Sequence, residues 1–251
     1  MSSSDADRAP EIITAGLLVI GDEILSGRTK DKNIGYIAEY LTSIGIDLKE
    51  VRVVADTEQR IVEALDALRH RYTYVFTTGG IGPTHDDITA DAVAKAFGVG
   101  IDHDPRAVKL LRDRFGSDLN EARLRMARIP HGADLIPNKV STAPGFRIGN
   151  VFVMAGVPSI MQTMLDAAAT TLKTGVKMLS ETVRADAREG DIGGPLGEIA
   201  RAHPATSIGS YPFFDPERGP NTNIVVRSRD PERLAAAKAA VEAMLQRVRG
   251  R

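Results

Sequence analysis

The 251-residue chain contains no cysteine. That excludes disulfides, thiolate nucleophiles and cysteine-type zinc sites, and it fits a cytoplasmic protein. Charge of one sign is also missing, since the net charge is −1. Such a balance gives no general electrostatic grip on nucleic acid or on an acidic membrane surface, so neither is expected as a partner. No apolar run approaches the roughly 18–20 residues that span a bilayer. Residues Met1 to Asp7 lack the basic and apolar regions of a signal peptide, and 1–11 is read as a disordered lead. The histidines (His70, His85, His103, His131 and His203) show no metal-ligand spacing, and Gly-x-Ser-x-Gly does not occur.

What is present is an ordinary globular composition, 43% hydrophobic and 26% charged. From about Ile12 to residue 176, apolar strands alternate with amphipathic helices, the pattern of an α/β domain with a mostly parallel sheet covered on both faces. Gly16 to Ile20 reads as a strand buried on both sides. A polar loop from Gly21 to Lys30 precedes a helix capped by Asp31, with Ile34, Ile37, Ala38, Leu41 and Ile44 on its core face and Gly45 as its stop. Leu48 to Val54 is a second strand, Thr57 caps the next helix, and Tyr72 to Phe76 is a third strand. Helices are predicted from Pro105 through Phe115, over Leu119 to Arg128, and from Pro158 to about Lys173. Between the last two lies a hairpin, Gly145 to Met154, turning at Gly149-Asn150. Residues 177–251 carry a β-α-β-β-α order with a short helix over Leu196 to Ala202, which suits a separate small α+β domain.

The densest motif runs from Thr77 to Thr89. A strand delivers Thr78, Gly79, Gly80, Gly82 and Pro83, then Thr84, His85, Asp86, Asp87 and Thr89 follow at the mouth of a helix that Gly98 ends. A glycine turn before a helix N-terminus presents backbone N–H groups and a positive dipole end to an anion. It is not a Walker loop, because no Gly-Lys-Ser/Thr follows. It also fits the dinucleotide fingerprint poorly. Phosphate beside two carboxylates requires a cation between them, so the combination points to a divalent metal, Mg²⁺ or another, with Asp87 as ligand or orienter of a metal-bound water. Helix capping is the plain alternative for one of the two acids. Thr84 and Thr89 either bind phosphate oxygens or make local turn bonds. His85 lies inside the motif and could assist protonation near neutral pH.

Asp56 follows the second strand. The C-terminal ends of parallel strands share one edge, so Asp56 and Asp87 are expected to face one crevice, with turn initiation as the competing role for Asp56. Gly21, Asp22 and Glu23 leave the first strand at the same edge, and Asn33 opens the next helix. Gly156, Val157 and Pro158 form a further strand-to-helix turn, a second candidate for backbone contact with a phosphate or ring.

These residues carry a resemblance. Gly21 to Gly27, Asn33, Thr77 to Thr89, Asn138, Thr142 to Gly145 and Gly156-Val157-Pro158 resemble the CinA-like family, whose main domain has the molybdopterin-binding fold of molybdenum-cofactor biosynthesis proteins. The resemblance implies a three-layer α/β domain, often a homo-oligomer, whose crevice takes a pterin phosphate or an adenosine nucleotide. It also implies magnesium-dependent chemistry at Asp56 and Asp87, with Asp86 beside them. The activity so implied is a metal-dependent pyrophosphatase splitting ADP-ribose into AMP and ribose 5-phosphate. The alternative is a module that binds molybdopterin without hydrolysis. Eukaryotic FAD synthases hold a similar domain, linked to FAD hydrolysis. Full-length relatives carry a further nicotinamide-mononucleotide deamidase domain, expected to be absent from a chain that stops at Arg251. Where many relatives have Pro-Gly-Val-Pro-x-Glu, this chain has Ala155 to Ile160 and lacks the acid.

Overall fold

A computed structural model describes residues 11–249, so the expected disordered lead lies, Glu11 apart, outside the described residues. The chain divides into two compact units between Gly175 and Val176.

The first unit runs β1 (Ile13–Ile20), α1 (Asp22–Leu25), α2 (Asn33–Ser43), β2 (Ile46–Val54), α3 (Glu58–Arg69), β3 (Tyr74–Thr78), α4 (Thr89–Phe97) and β4 (Ile101–His103). It continues with α5 (Pro105–Phe115), α6 (Glu121–Leu124), β5 (Arg128–Pro130), β6 (Asp134–Ile136), β7 (Gly145–Ile148), β8 (Val151–Met154) and α7 (Pro158–Ala169). A six-stranded sheet has the order β2-β1-β3-β8-β7-β6. Its first four strands are parallel, and β7 and β6 add on as antiparallel partners.

Strand alternation splits the core into two layers. Leu18, Ile20, Val75, Val151 and Val153 face α3, α4 and α5 through Ile61, Leu65, Leu68, Val93 and Leu111. Leu17, Val19, Phe76, Phe152 and Met154 face α2 and α7 through Ile37, Leu41, Met161 and Leu165. Each of these buried side chains contributes about 1.5–3 kcal/mol relative to exposure. The sheet between them makes the predicted three layers. From β1 the chain crosses to β2 on one side and then returns to β3 on the other, so the topology switches between β1 and β3.

Local expectations fared unevenly. Asp31 Oδ1 accepts from the amides of Asn33 (3.0 Å) and Ile34 (2.7 Å), the capping expected of it. Thr57 occupies the cap position of α3, but its hydroxyl makes no cap bond. The expected loop at Gly21 begins with the one-turn α1. The helix predicted over Leu119 to Arg128 is broken into α6, a 3₁₀ turn at Arg125–Ala127 and β5, which pairs with β4. The Gly145 to Met154 hairpin forms with Gly149 and Asn150 at its turn.

The second unit consists of β9 (Leu179–Arg184), α8 (Glu189–Ala202), β10 (Ser207–Asp215), β11 (Gly219–Ser228) and α9 (Pro231–Arg249). Its antiparallel sheet, β10-β11-β9, packs Ile224 and Val226 against Ile192, Leu196, Val241 and Leu245. Helix α8 begins seven residues before the predicted Leu196 and includes Pro195. Strands β10 and β11 of this unit pair from Ser207 with Arg227 to Asp215 with Gly219, a tight hairpin.

Candidate functional site

The C-terminal ends of β2, β1, β3 and β8 meet at one edge, as their parallel pairing requires. Gly79 leaves β3 with φ 102°, and a Cβ there would stand 2.1 Å from the Ile20 carbonyl oxygen of β1. Gly156, after β8, lies so close that its Cβ would stand 3.3 Å from the Gly79 Cα. These close approaches fix the turn. The Gly79 amide donates inward to the Met154 carbonyl at 3.2 Å. It is therefore a sheet donor and not the phosphate donor expected of it. The amides of Gly80, Ile81 and Gly82 have no hydrogen-bond acceptor among the described residues. Successive N–H groups without an acceptor are the chemistry from which anion-binding concavities are built.

Helix α4 does not start directly after the glycines. It starts at Thr89, whose amide donates to the Gly80 carbonyl at 3.0 Å and so brings the helix N-terminus against the turn. The Thr89 hydroxyl is fully buried and donates to the Gly79 carbonyl at 3.0 Å. Of its two predicted roles, the local bond is the one formed. Thr84 likewise bonds locally, donating from its amide (2.8 Å) and hydroxyl (2.5 Å) to Asp87 Oδ2. Neither Asp86 nor Asp87 caps α4. Asp87 turns back into its own loop while lining the crevice, and Asp86 is exposed. The Asp86 carboxyl is held below the ordinary range by hydrogen bonding in this turn, for which the Thr84 hydroxyl is shared between Asp86 and Asp87, and by its own backbone and the nearby His85. One hydroxyl proton serves one carboxylate at a time, and the 2.5 Å contact is the one it makes here, to Asp87.

Asp56 Oδ2 accepts from the Asp22 amide at 2.8 Å, tying the loop after β1 to the end of β2. The Gly21 amide reinforces this tie by donating to the Val54 carbonyl at 3.1 Å. Burial pushes the Asp56 carboxyl above the ordinary range. The Asp22 amide opposes this, and the charges of Asp22, Glu23 and Asp86 add to it. Among the described residues, no group of three or more His, Asp or Glu is placed to hold a metal ion.

The edge opens into a crevice of about 530 Å³ that gathers Glu23, Gly79, Gly80, Gly82, Pro83, Asp87, Gly156, Val157 and Pro158 from the predicted set. Asn33 and Thr78 line an adjoining cavity of about 210 Å³, which shares Glu23, Thr29, Gly156 and Pro158 with the crevice. Gly21, Asp22, Asp56, Asp86, Thr84 and Thr89 lie outside both linings and act through the loops they hold.

Sequence reasoning missed Met126 and Met164, which line the crevice, and Arg125. Arg125 borders a small recess with Gly80, Gly82 and Asp87, and its buried Nε has no hydrogen-bond partner. The available signal was the crowding of Arg123, Arg125 and Arg128 in the charge-rich stretch read as a helix.

Fold and site together define a doubly wound α/β protein with a crevice at the carboxyl edge of its parallel strands. A family profile described as "probable molybdopterin binding domain" matches residues 16–174, and the chain belongs to that family. A second profile, "FAD synthase, middle domain", matches residues 177–249. A protein of Pyrobaculum calidifontis is 32% identical over 248 residues, covering 94% of each chain. A CinA-like protein of Citrifermentans bemidjiense is 40% identical over 166 residues, 63% of this chain and 40% of that one. Among solved structures, the protein CinA from Thermoplasma acidophilum, described as of unknown function, superposes with a TM-score of 0.60. It is 34% identical and is covered over 97% of its length by 63% of this chain.

Proposed function

We propose that the first unit is a metal-dependent pyrophosphatase acting on a nucleoside diphosphate, with ADP-ribose as the leading substrate and AMP and ribose 5-phosphate as products. The observation that carries this reading is the row of free amides at Gly80, Ile81 and Gly82, facing a crevice of about 530 Å³ beside the unpartnered Arg125. Water adds across the P–O–P bridge, so negative charge grows on the phosphate oxygens. Fixed amides and a guanidinium stabilise that charge without reorganising.

Mg²⁺ takes much of its octahedral shell from phosphate and water, with one or two carboxylates from the protein. The local surplus of acid around Asp56, whose carboxyl is raised by burial and by its acidic neighbours, fits such a cation. Asp87, which lines the crevice, is the residue that would hold it, and Asp56, outside the lining, would add to the negative charge around it. When bound, the ion would neutralise the diphosphate and lower the pKa of a bound water. Asp56 also holds the Asp22 amide, and Asp87 shapes the turn through Thr84. The protein is proposed to work in the cytoplasm as a homo-oligomer, which light scattering checks.

A second reading is a module that binds a molybdopterin phosphate without hydrolysis. Its support is the engagement of Asp87 with Thr84, which the same anion site tolerates without a metal. Incubation with ADP-ribose in Mg²⁺ or EDTA, followed by chromatography for AMP, separates the two. The hydrolase reading expects Mg²⁺-dependent AMP release that falls at least a hundredfold in Asp87→Ala and in Arg125→Gln. Tight pterin binding with no AMP from the wild type overturns it.

A further inference from the structure

The sheet of the second unit is covered by its helices on one side only. Strand alternation sends Ile208 of β10, Ile224 and Val226 of β11 and Val183 of β9 into the core shared with α8 and α9. Side-chain bonds fix the same sense. Ser210 of β10 donates to Glu189 of α8, and Lys238 of α9 donates to Glu181 of β9. The residues between these point the other way: Tyr211 and Phe213 on β10, Asn223 and Arg227 on β11, Thr182 and Arg184 on β9. Among the described residues of this unit, no helix packs on that open side.

The open side is furnished for stacking. Tyr211 is 48% exposed, and its ring lies against the backbone of Gly209, where a Cβ would stand 3.2 Å from the ring carbon Cε2. Phe213 follows two residues along the strand, about 7 Å away. The Arg184 guanidinium sits 5.3 Å above the centre of its ring. Asp186, at 2.8 Å, and Asp215 hold that guanidinium, so its plane is presented already ordered. Aromatic rings and guanidinium planes are the surfaces on which unpaired bases stack.

Charge agrees with this. Arg218 (3.5 Å) and Arg249 (3.3 Å) also reach Asp186, so three guanidiniums share two carboxylates at this end of the face. Arg227 reaches the Tyr211 hydroxyl at 3.4 Å and has no carboxylate partner among the described residues. The near-neutral chain thus carries a local surplus of positive charge. The Thr182 and Asn223 side chains make no hydrogen bond among the described residues, which leaves a hydroxyl and an amide free to bond a ribose 2′-hydroxyl.

We infer that the open face of this sheet binds single-stranded RNA, with one base on Tyr211, the next on the stacked Arg184 and Phe213, and Arg227 against a backbone phosphate. The inference goes beyond the proposed function and does not depend on it, because no crevice residue takes part.

The test is fluorescence anisotropy of a labelled uridine octanucleotide titrated with the full chain at rising KCl. Tyr211→Ala should weaken binding about tenfold, as the loss of one base stack does. Arg227→Gln should lower the salt slope by about 0.7, the value for one phosphate on a single strand. Phe214→Ala removes a more exposed aromatic, 72%, from the helix side of the same strand and should leave affinity within twofold. All three side chains are exposed, so the variants should fold, which circular dichroism checks. The deoxyuridine octanucleotide should bind severalfold more weakly, since it lacks the 2′-hydroxyl. No binding by the wild type, or equal weakening by Tyr211→Ala and Phe214→Ala, overturns the inference. Equal affinity for the deoxy oligomer overturns the assignment to RNA. Dissociation of an oligomer by Tyr211→Ala, with no RNA bound by the wild type, gives the face to a second copy of the chain and overturns it as well. AMP release from ADP-ribose should be the same in all three variants. Loss of RNA binding therefore leaves the hydrolase reading standing, and absence of AMP release leaves the RNA face standing.

Discussion

At the scale of single residues, the site is built from backbone that side chains would obstruct. Gly79 combines φ 102° with a Cβ position 2.1 Å from a main-chain oxygen that cannot move without breaking β1. Gly79→Ala should therefore destabilise the protein by about 2 kcal/mol or more, read from urea denaturation. An unchanged midpoint would mean that the turn is not locked against Ile20. The motif Thr77 to Thr89 pointed to this place in the chain without a structure. What it left open was the direction each group faces. Gly79, Thr84 and Thr89 were candidate ligands by sequence, and all three spend their hydrogen bonds inside the fold. A one-dimensional motif names residues that must be near the site but does not separate those that touch a ligand from those that shape the turn.

At the scale of elements, β2 is an edge strand, and its exposed side carries a charge network. Glu50 accepts from the Tyr72 hydroxyl (2.7 Å), Arg52 (2.7 Å) and Arg71 (3.2 Å). The Tyr72 bond above all, followed by Arg52, lowers its pKa from 4.5 to about 2. A lowered folded-state value means that the folded form binds fewer protons than the unfolded chain between these limits. Stability is then fully present above about 4.5 and is lost as pH falls towards 2. Thermal melts from pH 2 to pH 5 should show this slope in the wild type and a flatter one in Glu50→Gln. Equal slopes would remove Glu50 from the acid limit. Element existence was legible wherever apolar periodicity ran long, as in β1, α2 and α9. It failed over Leu119 to Arg128, where β5 is only three residues long and its partner β4 lies more than twenty positions earlier. Pairing of that kind leaves no periodic trace. It failed again at α8, read as a short helix from Leu196, which starts at Glu189 and runs through Gly193, Gly194 and Pro195, residues that disfavour helix interiors.

At the scale of the whole molecule, three buried hydrophobic clusters divide between the units, two in the first and one in the second, and the segment between α7 and β9 carries no regular structure. Lys177 in that segment is exposed. Limited trypsin digestion should cut there first and leave a stable N-terminal fragment ending near residue 177, identified by mass. First cuts within α2 or α3 instead would deny that the first unit is independently compact.

Residue order by itself determined the strand-helix alternation, the glycine turn and the acids beside it, because periodicity and turn chemistry act over a few neighbouring residues. Only the tertiary structure decided which amides remain free, that Met126 and Met164 reach the crevice, that Arg125 borders the recess beside it, and that Asn33 and Thr78 share a cavity. Those facts depend on strands β1, β3 and β8 being laid side by side, and no local interaction encodes the packing of segments more than forty residues apart.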